Sequence, residues 1–145
     1  MIWPNIEEMV RDFNDGKVTA EENVLKSLEL IEKGNKYNAI IAVNKDAAIA
    51  RAKEIDQKKK DGKQLGRLAG VPYIAKDNFL TLDLNTTAAS NMLKSYKANY
   101  QSTTTKLLND EDAIMVAKAN LDAFAHGTST ENSDFFTTVS YTHLT

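Results

Sequence analysis

Two lysines stand where side chains of their kind can do chemistry. The stretch "GVPYIAKDNF" (70–79) runs Val71, Tyr73, Ile74 and Ala75 into Lys76, with Asp77 and Asn78 directly behind. The apolar run reads as a buried strand, and a charge at its end either turns out to water or is kept inside for a purpose. A lysine kept inside loses hydration, so its pKa falls from about 10.4, and an amine that is neutral near pH 7 is a general base. The alternative is a lysine paired with Asp77 at a strand end, its methylene stem covering apolar surface. "AIMVAKAN" (113–120) repeats the pattern. Lys118 closes this second run and takes the same two readings, ranked behind Lys76. A third stretch, "HGTSTENS" (126–133), has hydroxyls and a glycine that permits close backbone approach. It reads as the lining of a site or as a turn held by Asx and hydroxyl hydrogen bonds.

Other chemistries find no support. There is no cysteine, which excludes a disulfide framework, a thiolate metal site and a cysteine nucleophile. His126 and His143 do not make a metal cluster by themselves. No G-x-S-x-G elbow occurs, and "LGRLAG" (65–70) lacks the GK[ST] ending of a P-loop. Glu7–Glu8 and Glu21–Glu22 read as solvated helix faces rather than an acid/base pair. "KKKDGK" (58–63) crowds cations where a helix dipole is negative. With no aromatics interleaved, a solvated helix end is the better reading than a phosphate patch. A net charge of −2 gives no global pull toward nucleic acid or acidic lipid.

The elements that must position these groups follow from spacing. Ile2, Ile6, Met9, Val10 and Phe13 fall at helical intervals until Asp15–Gly16. Thr19 opens a second helix with Glu22 three residues on, a capping box. Val24, Leu25, Leu28 and Ile31 form its apolar face, and Gly34 closes it. "NAIIAVN" (38–44) reads as a strand, and an alanine-rich helix runs from about 46 to 60. Beyond Lys76, "TLDLNTTAASNML" (81–93) reads as loop with a short helix. A helix starts near Gln101–Ser102 and carries Leu107 and Leu108, and "LDAFA" (121–125) is a helical turn. Helices alternating with buried strands indicate an α/β class with some parallel pairing. The 145 residues, 42% apolar and 26% charged, suit one domain or a piece of one. No apolar run approaches the ~20 residues of a membrane span. The N-terminus "MIWPNIEEMV" lacks the basic region of a signal peptide, so the cytoplasm is the expected location.

Several stretches taken together resemble a known family. "LAGVPYIAKDNF", "TTAASNML", "AIMVAKANLDAFAHGTSTENS" and the N-terminal "VTAEE" and "AIIAVN" are similar to the amidase signature family. Within it they resemble the A subunits of glutamyl-tRNA(Gln)/aspartyl-tRNA(Asn) amidotransferases. The resemblance implies a Ser–cis-Ser–Lys triad in which Lys76 is the base. Its neutral amine takes a proton from a serine on a cis peptide bond. That serine deprotonates a nucleophilic serine, which attacks the amide carbonyl of glutamine; ammonia leaves and water resolves the acyl-enzyme. On this reading burial keeps Lys76 neutral. Asp77 and Asn78 fix the strand end and the amine's direction, and Thr130, Glu131 and Asn132 stand behind the pocket. The implied fold is α/β, the amidase signature fold, with a mixed, mostly parallel central sheet wrapped by helices and present here as its N-terminal third.

The departures bear on activity. The family's serines lie in a GGSSGG-like segment expected soon after "TENS", and the sequence has no such segment. Ser129, Ser133 and Ser140 lack that glycine pattern, and the glutamine-recognising residues of the family lie further on. Residues 1–138 therefore read as the N-terminal part of the amidase signature domain. Residues 139–145, "VSYTHLT", read as a foreign tail on a truncated frame. The resemblance further implies a heterotrimer with the B and C subunits of such an amidotransferase. Ammonia passes to a partner that amidates ATP-activated Glu-tRNA(Gln) or Asp-tRNA(Asn). Charged tRNA and ATP with Mg fall mainly on the B subunit, and no cofactor or metal falls on this chain. The chain alone is expected to be inactive and marginally folded, with an open sheet edge. Two alternatives stand beside this: a general amidase of small amides, and a non-enzymatic fragment that docks a partner through Val24, Leu28 and Ile31.

Overall fold

The computed structural model of the chain describes residues 4–139; Ile2, Ser140, His143 and the rest of the tail beyond Val139 lie outside the described residues. Helix α1 (Ile6–Asn14) starts at Ile6 because Asn5 caps it, in a reciprocal box with Glu8. It buries Met9 and Phe13. Helix α2 (Ala20–Lys33) opens on the Thr19–Glu22 box read from the sequence. A second carboxylate meets its positive end: Asp56 accepts from Ala20 N and Glu21 N at 2.8 and 3.1 Å. Asp56 lies on α3 (Lys45–Lys60), so the cap also locks the two helices together. Ala48 and Ala52 on α3 are buried, and such small side chains let α2 approach closely.

Three strands form one mixed sheet in the order β1 (Ile40–Val43), β3 (Ile114–Ala119), β2 (Pro72–Lys76). β1 runs antiparallel to β3, and β2 runs parallel to it, with Ala75 beside Lys118 and Lys76 beside Ala119. Helix α4 (Thr103–Asp110) is capped by Ser102 and leads into β3. Three short 3-10 turns complete the described elements, at Asn35–Tyr37, Asn91–Leu93 and Ala123–Ala125. The core joins Phe13, Val24, Ile55, Ile114, Val116 and Ala117. Each large apolar side chain fully buried there contributes roughly 1.5–3 kcal/mol.

Several expectations change in three dimensions. Of the apolar face read on α2, Val24 is buried and Leu28 and Ile31 pack on the core, so that face is used inside the chain; Leu25 is exposed. The basic run at the end of α3 is not a free patch. Lys58 pairs with buried Asp112 at 2.6 Å, and Lys59 lies over the Phe13 ring and donates to the Phe13 carbonyl. Asp112 also pairs with Arg51 at 3.0 Å and accepts from Gly66 N at 2.7 Å. Burial pushes its carboxyl up, but these donors outweigh burial and hold it below the usual carboxylate range. Gly66 is obligatory at this junction, because a Cβ there would stand 2.2 Å from the Glu111 backbone. β2 is an edge strand rather than a buried one. Ile74 is 47% exposed, and an apolar groove of about 450 Å³ lies beside it, lined by Leu30, Ile31, Tyr37, Ile40 and Pro72.

Candidate active site

The end of β2 alternates as a strand must, with Ala75 buried, Lys76 exposed and Asp77 buried. The Lys76 side chain forms no hydrogen bond or ion pair among the described residues. The expectation of an amine stripped of water is therefore not met in this chain. The reason is the face it points to: Lys76 alternates with buried Ala75 and Asp77 and shares the exposed face of β2 with Ile74. Asn78 is also exposed and makes no side-chain hydrogen bond among the described residues.

The buried lysine is Lys118. Both it and Asp77 are 0% exposed. Its ammonium has three N–H donors, and all are used: on the Phe79 carbonyl at 2.8 Å, Thr86 Oγ1 at 3.1 Å and Thr81 Oγ1 at 3.3 Å. Asp77 Oδ1 stands 3.3 Å away as an ion partner and makes no hydrogen bond of its own. Burial pushes the Lys118 ammonium down, and the Asp77 carboxylate beside it opposes that fall without cancelling it. Asp77 thus pairs with Lys118 and not with its neighbour Lys76. Its other oxygen accepts from Thr87 N at 3.0 Å and from the Thr87 hydroxyl, and its backbone carbonyl accepts from Ala88 N at 3.1 Å.

From there the network reaches the second loop. Phe124 N donates to the Ala88 carbonyl and Asp134 N to the Ala89 carbonyl, each at 2.9 Å. Asp134 in turn accepts from Ser90 Oγ and Asn91 N. Asp122 organises the 126–133 loop, accepting from Thr130 N at 2.9 Å and Asn132 N at 3.2 Å. These backbone donors, Thr130 first, hold its carboxyl below the usual range. Gly127 passes so close that a Cβ would lie 2.3 Å from the Asp122 carboxyl carbon. Ala88, Ala89, Phe124, Ala125 and Thr130 all have φ between 49° and 63°. Backbone held in that region by non-glycine residues costs energy and clusters at functional sites.

The loop residues named from the resemblance reach the strand end only through this backbone relay. Thr130 is half-buried, and its Oγ1 accepts from Thr138 N at 2.7 Å. Glu131 and Asn132 are exposed, Glu131 accepting from Ser129 Oγ and Asn132 Nδ2 donating to the His126 carbonyl. Thr87, Asp122 and Asp134 were not read from the sequence. Asp122 had a visible signal, an acid at the head of a glycine-containing loop. Thr87 and Asp134 had none, because their partners lie 10 and 44 residues away. Among the described residues no three His, Cys, Asp or Glu side chains gather as metal ligands would. No described helix is long and apolar enough to cross a membrane.

A small mixed sheet, helices packed against it, and two interlocked loops at the strand end that follows "GVPYIAKDN" define the class. The chain belongs to the amidase family, which it matches over residues 22–142. It is 45% identical over 136 residues to the A subunit of the glutamyl-tRNA(Gln) amidotransferase of Limosilactobacillus reuteri, covering 92% of this chain and 27% of that protein. The solved A subunit of the Thermotoga maritima glutamyl-tRNA(Gln) amidotransferase superposes with a TM-score of 0.68 at 30% identity, over 93% of this chain and 26% of that one. A peptide amidase solved with the competitive inhibitor chymostatin superposes with a TM-score of 0.79 at 25% identity, over 84% of this chain and 26% of that one. The chain spans about a quarter of the length of the curated relatives it matches.

Proposed function

We propose that these residues are the N-terminal part of the glutamine-hydrolysing subunit of a tRNA-dependent amidotransferase. The observation that carries this reading is the identity to the L. reuteri protein, which extends over nine-tenths of the chain. In the assembled protein Lys76 is the proton acceptor, its side of β2 covered by sequence beyond these residues. Two serines from the GGSSGG-like segment of the family complete the relay. Asp77 acts on Lys76 indirectly, by anchoring the strand end through Lys118, Thr87 and Ala88. The ammonia passes to a partner in a heterotrimer with the B and C subunits. That partner amidates Glu-tRNA(Gln) or Asp-tRNA(Asn), with charged tRNA, ATP and Mg held mainly on the B subunit, in the cytoplasm. These 145 residues carry no GGSSGG-like segment, so the chain alone is expected to release no ammonia from glutamine.

The test joins residues 1–138 to the remaining three-quarters of the L. reuteri relative and assays ammonia release from glutamine with the partner subunits present. Lys76→Ala is expected to lower the rate by about 10²–10⁴-fold, the size of a lost general base. A chimera that keeps its rate without Lys76 rejects the assignment. Reading the coding sequence past Thr138 tests the expectation for 139–145. An in-frame serine segment supports it, and a verified stop codon after Thr145 rejects it. The fold likeness to a peptide amidase favours a second reading, a general amidase of small amides. A chimera built on such an amidase that turns over small amides but not glutamine selects that reading.

A further inference from the structure

The proposed reaction leaves Lys118 unused, yet its ammonium is fully buried and fully partnered. It sits wholly buried in a shell of four oxygens: the Phe79 carbonyl, the Thr81 and Thr86 hydroxyls, and the Asp77 carboxylate. A carbonyl, hydroxyls and a carboxylate around one charge are what a bound cation receives when protein oxygens replace its hydration shell. Three of the four come from residues 79–86, a segment with no helix or strand of its own. Here the cation is covalently attached to the central strand.

We propose that Lys118 is a tethered cation whose charge, rather than the packing of its stem, folds residues 77–90 and so fixes the strand end that carries Lys76. It is a positioning residue. Its consequence for Lys76 rests on the reading given above; its effect on the segment does not. Without the charge, Asp77 Oδ1 is buried with no partner, and the Phe79 carbonyl and two hydroxyls face no donor. A carboxylate in that state turns to water or takes up a proton. Either change disturbs the carboxylate that holds Thr87 N and its hydroxyl, next to the Ala88–Ala89 pair of positive φ. Methionine matches the lysine stem but brings no donor, so it separates charge from packing.

The experiment uses the whole 145-residue chain and amide hydrogen exchange at Thr87 and Ala88, with Val24 in the core as reference. In Lys118→Met, exchange at Thr87 and Ala88 is expected to rise about tenfold or more relative to Val24. In Lys118→Ala, added n-butylammonium is expected to restore protection, while tetramethylammonium at the same ionic strength, with no N–H to donate, does not. Wild-type protection in Lys118→Met, or equal effects of the two ions in Lys118→Ala, overturns the proposal. Should Lys118→Met fail to fold, the double variant Asp77→Asn/Lys118→Met decides. Removing both charges is expected to raise the melting temperature above that of the single variant, and a double variant no more stable than the single overturns the idea. Glutamine hydrolysis is no part of this readout, so failure here leaves the Lys76 assignment standing, and the reverse holds too.

Discussion

Strands β2 and β3 end almost alike, "YIAKDN" beside "MVAKAN", and their lysines have opposite fates. Lys76 is exposed on one face of the sheet, and Lys118, one strand inward and on the other face beside Ala75, is sealed within a cage of oxygens. The same apolar run therefore carries two kinds of amine. The central strand has neighbours on both sides and a loop folded over its lysine, so the charge there must be satisfied internally. Lys76, in register with Ala119, points to the opposite face of the sheet, which it shares with exposed Ile74.

The contrast can be broken most forcefully at the inner position. Lys118→Met should cost about 3–5 kcal/mol in chemical denaturation, as expected when one member of a buried ion pair is removed. A loss below about 1 kcal/mol would erase the distinction between the two strands. Gly127→Ala should cost roughly 1–3 kcal/mol, since the new methyl must displace the Asp122 carboxylate. Faster amide exchange at Thr130 would locate the damage in that loop. Thr87→Val should cost about 1–2 kcal/mol, by taking one hydroxyl from a buried carboxylate. If its melting temperature is unchanged, Lys118 and the Thr87 backbone N–H suffice to hold Asp77.

Tyr73 sharpens the picture of β2, which is open at Ile74 and Lys76 but partly closed one residue earlier. Burial first, and the Asp83 carboxylate second, push its phenol up to about 12. The folded phenol ionises later than the unfolded one, whose ordinary value is 10.0. Stability from this group is therefore complete below pH 10.0 and is lost as pH rises toward 12. Spectrophotometric titration should show Asp83→Asn moving the midpoint down. The smallest effect belongs to Lys76→Met, which should change the stability of this chain by no more than about 0.5 kcal/mol. A loss of more than about 1.5 kcal/mol would mean that the fold already uses the outer amine.

Much of the local structure was legible. Thr19 and Glu22 announce a helix start because their reciprocal hydrogen bonds span only three residues. The strand at 40–43 and the two strands that carry Lys76 and Lys118 lie where the apolar runs fall. Asp77 and Lys76 drew notice for their place behind an apolar stretch. Which lysine would be inside was not legible, and the ranking of Lys76 over Lys118 as the buried amine was reversed. Nor was the bond from Asp77 to Thr87, or the stitching of Ala88 to Phe124, since each joins residues far apart in the chain.

By itself, then, the amino-acid order determined the caps, the strands and the chemical groups at their ends, because those depend on neighbours within a few positions. Only the tertiary arrangement decided strand order, and separately which ammonium loses its water. Hydration is removed by whatever packs alongside, and for Lys118 that is a segment 32 to 39 residues earlier in the chain.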